Sequence, residues 1–200
     1  LPLKKSTLSR YFEKREKEFK YSNNKKHQFD GILYYLSGKS EGNIHTNGTI
    51  EITTNSIYDN NLNNHPKYLV EFDSSMCYWS NDDKDVFICF DFKDKSIKLS
   101  EYSLKTCDNI ENGSHLKSWV IEVSNDGYNW EVVDRQSNNS ILNGTCFTAT
   151  FKVEKKNNNK FYRYVRLRQT GYSWDDSLDI PNYYFALNLI EFFGKLKENK

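Results

Sequence analysis

Apolar and polar residues alternate with a period of two along much of this chain. Trp119, Ile121 and Val123 alternate with Val120, Glu122 and Ser124, the pattern of a strand with one face in a core. Asn125-Asp126-Gly127 follows, and Gly127 is free to take the positive φ of a hairpin turn. Trp130, Val132 and Val133 then restart an apolar strand. The same alternation puts Val86, Ile88, Phe90 and Phe92 against Phe87, Cys89 and Asp91, with Cys89 a small buried residue on the second face. Strands are predicted at 49–54, 68–72, 86–92, 96–105, 117–124, 130–135, 146–153, 161–170 and 185–193. Short strands separated by polar turns predict an all-β sandwich or jelly roll. The long polar stretches 73–85, 106–116, 136–145 and 171–184 are the candidate functional loops.

The first 40 residues break this pattern. Leu3, Leu8, Tyr11, Phe12 and Phe19 among many charges predict an amphipathic helix over 3–22, ended by Asn23-Asn24-Lys25-Lys26. The apolar run Phe29 to Leu36 predicts a short helix against the domain. The expected division is a helical extension or linker over 1–40, a sandwich over 41–196 and a tail over 197–200.

Composition adjusts the picture in three ways. First, 14 Tyr, 13 Phe and 4 Trp supply apolar area for a real core despite frequent Asn, Lys, Asp and Ser. Second, the net charge of +1 hides nine Lys/Arg against three Glu in residues 1–27, which leaves the rest of the chain acidic. That excludes a basic nucleic-acid surface on the body of the domain. Third, Cys77, Cys89, Cys107 and Cys146 show no CxxC spacing, hence neither a zinc site nor a thioredoxin-like pair. They read as reduced thiols of a cytoplasmic protein, while sequons starting at Asn47, Asn112, Asn138 and Asn143 leave secretion and two disulfides open. The chain starts at Leu1 without a signal peptide or membrane-spanning run and reads as a piece of a larger protein.

Catalytic signatures are missing from the sequence: it has no GxSxG, P-loop, HExxH or dinucleotide fingerprint. His27, His45, His65 and His115 are scattered in polar segments. Asp82, Asp83 and Asp85 read as a solvated hairpin tip rather than a metal or acid–base cluster, and Asp175, Asp176 and Asp179 likewise. Arg163 and Arg166 fall on opposite faces of one strand, and one is expected to face inward beside a carboxylate such as Asp126.

A series of motifs in order resembles a known family. Tyr78-Trp79-Ser80, Phe87-Ile88-Cys89-Phe90-Asp91-Phe92, Ile97 with Tyr102-Ser103-Leu104, the Ser124–Trp130 turn, Phe161–Leu167 and Ile190–Gly194 are similar to a discoidin domain, the coagulation-factor type C domain. The resemblance covers roughly residues 43–194 and implies a galactose-binding-like jelly roll. Phe29–Ile32, Gly42–Ile44 and Asn47–Ile50 resemble the subtype that follows BTB and BACK modules in large protist proteins.

That resemblance implies two kinds of site. A structural calcium would be held by Asp73 and Glu191, although Asp73-Ser74-Ser75 replaces the usual glycine-bearing turn. No other cofactor is expected. Ligand loops at one end would use Tyr78, Tyr172, Trp174, Asp175, Tyr183 and Tyr184, aromatics suited to a sugar face or a protein interface, while Trp79, Trp119 and Trp130 serve the core. The leading expectation is a non-enzymatic protein-interaction or scaffold domain of a larger intracellular protein, with a protein partner and no membrane insertion. The alternatives are a carbohydrate-binding, lectin-like module and a microtubule-associated cytoskeletal component whose basic stretch lies along an acidic polymer.

Overall fold

The alternating segments pair into two antiparallel sheets. The computed structural model describes residues 16–24, 28–108, 114–153, 160–174 and 180–198. One sheet has the order β1 (Glu16–Phe19), β11 (Leu189–Glu198), β5 (Lys95–Lys105), β8 (Thr148–Lys152). The other runs β2 (Glu51–Thr54), β4 (Phe87–Asp91), β9 (Tyr164–Gln169), β6 (Trp119–Ser124), β7 (Glu131–Gln136). A short ribbon pairs β3 (Tyr78–Trp79) with β10 (Ala186–Leu187). The expected jelly-roll β-sandwich is therefore present, and its helix α1 (Ile32–Lys39) starts inside the apolar run predicted to be helical and continues past its end at Leu36.

The core forms where the inner faces meet. Ile88 and Phe90, Val165 and Leu167, and Trp119 and Ile121 come from one sheet; Tyr102, Leu104 and Phe192 come from the other, all fully buried. A polar relay crosses between the sheets. Trp119 Nε1 donates to the Tyr102 hydroxyl at 2.9 Å, which donates to the Asp134 carboxylate at 2.6 Å. Phe151 stacks on Tyr102 and meets the edge of Trp119, with ring centroids 5.2 Å away in each case. The three polar groups thus satisfy one another inside an otherwise apolar layer.

Helix α1 is fixed from the far end of the chain. Its N-cap, Gly31, has no side chain to receive the free amides of the first turn. Glu191 of β11 takes that place: Oε1 accepts from the Leu33 and Phe192 amides at 2.7 Å each, and Oε2 from Tyr34 at 2.8 Å and Gly31 at 3.2 Å. Burial pushes its carboxyl up to about 8, against the four N–H donors that pull it down. A Cβ on residue 31 would lie 2.5 Å from the Phe192 carbonyl oxygen and 2.6 Å from the Glu191 side chain, so only glycine permits this approach.

On the outer face of the five-stranded sheet, Glu122 accepts from Arg166 Nε at 2.8 Å and Arg168 Nη2 at 2.8 Å. Burial alone would raise Glu122, but the hydrogen bonds from Arg168 and then Arg166 hold it below the usual carboxylate range. Arg166 also lies 3.9 Å over the Trp130 ring. Arg163 grips Asp91 through two 2.7 Å bonds. Burial opposes ionisation of Asp91 as well, and its Arg163 and Lys93 contacts outweigh it.

Several expectations are corrected here. Residues 16–19 form a strand on β11, not part of a helix; Phe19 is buried against Tyr35 at 5.0 Å, and Lys17 caps the same ring at 3.7 Å. Residues 1–15 of that expected helix lie outside the described residues. The strand predicted at 68–72 is a 3₁₀ helix, Pro66–Val70, because Pro66 starts the turn and His65 Nδ1 accepts from the Lys67 amide. Strand β11 continues to Glu198, past the expected tail boundary. Neither arginine turns inward and neither pairs with Asp126, which accepts from the Asn129 side chain and the Tyr128 and Asn129 amides in its own turn. Trp130 is half-buried under Arg166 on the outer face rather than in the core. Cys77 and Cys107 are bonded, not reduced, with Cα atoms 6.2 Å apart; Cys89 and Cys146 carry free thiols.

Two outcomes follow. Glu191→Gln puts an NH₂ group against N–H donors and should lower stability by about 3 kcal/mol, read as a lower urea midpoint with an unchanged slope. Acid should also weaken the fold. Glu122 and Asp91 titrate lower when folded than when unfolded, so the unfolded chain takes up protons first and stability falls below about pH 4.5. Glu191 is raised on folding, so near pH 4.5 it opposes that loss in part, and it drops out only near pH 3, where it is protonated in both states. A flat urea midpoint between about pH 4.5 and 3 would refute this assignment.

Candidate functional site

Strand register gathers four loops at one end of the sandwich. Trp119 opens β6 opposite Gln169 at the close of β9 and Gln136 at the close of β7, and Phe87 opens β4 opposite Arg168. The loops before β4 and β6 and after β7 and β9 therefore emerge together. Backbone bonds stitch them: Thr170 N to Ser118 O at 2.9 Å, Asn139 N to Lys117 O at 2.8 Å and Trp174 N to His115 O at 3.0 Å. Ser173 N to Asn182 O, at 2.9 Å, ties the two limbs of the last loop.

Two aromatics, exposed Tyr172 and half-buried Tyr183, meet on that last loop. The Tyr172 and Tyr183 ring centroids lie 4.6 Å apart, with the planes tilted by 43°. Tyr172 keeps 45% of its surface in solvent. The Tyr172 hydroxyl raises the neighbouring Tyr183 phenol. Asp82, exposed in the facing loop, accepts the Tyr183 amide at 2.6 Å, and Lys84 Nζ lies 5.7 Å from the Tyr183 ring. The rim thus combines an aromatic surface, a carboxylate acceptor and an ammonium donor.

The other expected residues divide between support and periphery. Trp174 is half-buried; its indole N–H donates to the Asn139 carbonyl at 2.9 Å and Lys117 Nζ lies 4.1 Å over the ring. One indole face is therefore already covered. Tyr184 packs edge-on against Tyr58 at 6.1 Å, farther round the rim. Tyr78 is removed from the ligand surface: it is fully buried, and its hydroxyl donates to the Ser56 carbonyl at 2.7 Å. Burial raises its phenol well above the ordinary tyrosine range. Asp175, with Asp176 and Asp179, lies outside the described residues. The aspartates of the neighbouring loop are exposed but tied down, Asp83 accepting the Ser56 hydroxyl at 2.6 Å and Asp85 meeting Arg168 at 3.0 Å.

Lys84, Lys117 and Asn139 were not among the expected site residues. Two of them belong to stretches already marked as candidate loops, but only the cross-loop contacts single them out. A further feature lies beneath: Gln169, at the inner end of β9, is fully buried with neither amide atom hydrogen-bonded, and Asn182 Nδ2 is buried and unpaired as well.

The calcium arrangement implied by the family resemblance does not fit. Both Glu191 oxygens are turned towards backbone N–H donors, which repel a cation. Asp73 is exposed beside a cavity of about 360 Å³ lined also by Gln28, Tyr34, Phe72 and Lys105. Among the described residues no three His, Cys, Asp or Glu side chains converge for a metal, and no helix is long and apolar enough to cross a membrane.

No family model matches the sequence. Solved structures of similar fold include a family 32 carbohydrate-binding module from a family 31 glycoside hydrolase of Clostridium perfringens, at TM-score 0.57 and 18% identity over 74% of this chain and 92% of that one. A second such module from that organism, in complex with GalNAc-β-1,3-galactose, matches at TM-score 0.55 and 12% identity over 73% of this chain and 96% of that one. The family 32 module of the C. perfringens protein NanJ, in complex with galactose, matches at TM-score 0.53 and 7% identity over 75% and 95%. These likenesses show the fold, a jelly-roll β-sandwich.

Proposed function

We propose that the domain is a non-catalytic carbohydrate-binding module whose ligand rests on Tyr172 and Tyr183. The observation that carries this reading is the tyrosine pair, Tyr172 exposed and Tyr183 half-buried, flanked by Asp82 and Lys84 at the loop end. A pyranose has an apolar C–H face and a rim of hydroxyls. A tilted tyrosine pair suits the face, and a carboxylate with an ammonium beside it suits the rim. Three similar folds, in their solved complexes, hold GalNAc-β-1,3-galactose, galactose and an unsaturated mannuronic acid, which favours a saccharide over the protein partner expected from sequence. The microtubule reading rests on the basic stretch 1–27, most of which lies outside the described residues.

This reading places the module within a larger protein of the discoidin type, the BTB–BACK subtype being supported by sequence motifs. The Cys77–Cys107 bond favours an oxidising setting over the cytoplasm.

Titration calorimetry with galactose- and GalNAc-terminated oligosaccharides is the test. Binding is expected, and Tyr172→Ala should weaken it at least about tenfold, on the order of 1.4 kcal/mol, with the urea midpoint unchanged. Failure to retain any glycan on a broad array, or unaltered affinity in the Tyr172→Ala protein, would dismiss this function.

A further inference from the structure

Three of the four cysteines converge at the loop end, and only two of them are bonded. We propose that Cys146 is a thiol–disulfide exchange site that moves the Cys77–Cys107 bond onto the Cys107–Cys146 pair. The register leads there. Lys105 of β5 stands opposite Thr148 of β8, and backbone hydrogen bonds continue past both strand ends into the turn that holds Cys146. Thr106 N donates to Phe147 O at 2.9 Å, and Cys146 N donates to Cys107 O at 2.9 Å. That bond brings the two backbones into contact: a 2.9 Å N···O link and standard covalent geometry hold the two Cα atoms within roughly 6.8 Å, the upper end of the roughly 4.4–6.8 Å span that a disulfide bridges. Cys77 meets Cys107 from the β3–β10 ribbon with Cα atoms 6.2 Å apart. Cys107 thus has two cysteine neighbours within bonding span.

The three sulfurs differ in access. Cys107 is fully buried and Cys77 nearly so, whereas Cys146 is exposed, so its sulfur is the one open to solvent and placed to act as the attacking group. Its turn is held in place: the Thr106 hydroxyl donates to Gly144 O at 2.5 Å and accepts from Phe147 N at 2.8 Å. Cys146 itself is kept at a φ of 58°, a left-handed conformation that non-glycine residues adopt only when neighbours hold them there.

The step is balanced without an external oxidant. Cys146 gives its proton to solvent, and the thiolate attacks Cys107 Sγ. The Cys107–Cys146 bond forms as Cys77–Cys107 breaks, and the electron pair leaves on Cys77 Sγ, which takes up a proton. The Ser75 carbonyl, 3.7 Å from Cys77 Sγ, is placed to accept the new S–H. In the first state the bond ties the ribbon to the end of β5. In the second it ties β5 to the turn before β8 and releases β3, which leads directly to Ser80 and Asp82. Ser80 Oγ accepts the Phe185 amide at 3.0 Å and Asp82 accepts that of Tyr183, so exchange would loosen the rim. That last consequence rests on the glycan-binding reading; the exchange does not.

The test is peptide mapping without reduction. Folded protein is incubated at about pH 8, near the ordinary thiol pKa, then quenched in acid, alkylated and digested. Two linked peptide pairs are expected, Cys77–Cys107 with Cys146 alkylated and Cys107–Cys146 with Cys77 alkylated. Cys146→Ser should hold only the first. Cys77→Ser, oxidised with glutathione disulfide and shown to be folded by circular dichroism, should hold only the second. Absence of the Cys107–Cys146 link from the unmutated protein overturns the proposal, including the case where Cys77→Ser forms it, since the bond would then arise only once its competitor is gone.

Discussion

A single carboxylate closes this fold on itself. Glu191, fully buried on the last strand, receives three amides from the start of α1 and one from its own strand. The first turn of any helix leaves N–H groups unpaired, and here the N-cap is a glycine that cannot serve them. The remote carboxylate and the missing Cβ are two halves of one device, since a side chain on residue 31 would occupy the space Glu191 needs. With α1 held there, Ile32, Leu33 and Leu36 enter the core, while β11 itself pairs with both β1 and β5. At this position amide donors, through Glu191, join the segments.

The opposite end of the sandwich is free to vary because its strands are already secured. The Trp119–Tyr102–Asp134 relay joins the sheets internally, and the Glu122–Arg166–Arg168 cluster locks β6 to β9 externally. Loops leaving such a frame can present side chains in fixed relation. Tyr172, Tyr183 and Asp82 come from segments about 90 residues apart in sequence yet meet through hydrogen bonds anchored to strand ends. The unpaired amide of Gln169 and the unpaired Nδ2 of Asn182 are buried at this end, an expensive arrangement in a protein interior.

The sandwich was legible wherever one face of a strand is apolar. Alternation over 86–92 and 96–105 located β4 and β5 within a residue or so. It failed where local chemistry or distant partners decide. Residues 16–19 carry charges on a strand edge and bury only Phe19, so nothing in their pattern separates strand from helix. Pro66 and His65 convert an apolar stretch into a 3₁₀ turn. The partners of Arg163 and Arg166 depend on register between strands far apart in sequence, as does the pairing of Cys77 with Cys107. At the site, the loop aromatics were visible as residues, but their exposure was not: Tyr78 sits on a strand and points inward, whereas Tyr172 follows a strand end and points out.

The account's central claim is that the loop end, not the sheet faces, receives a saccharide. Amide chemical-shift mapping on titration with a galactose-terminated oligosaccharide tests it most directly. Saturable shifts confined to 82–84, 172–174 and 182–184 are predicted, with the outer-face strands β4 and β9 unmoved between Phe87 and Arg166. Saturable shifts centred on those strands instead, or none at all with any sugar, would contradict it.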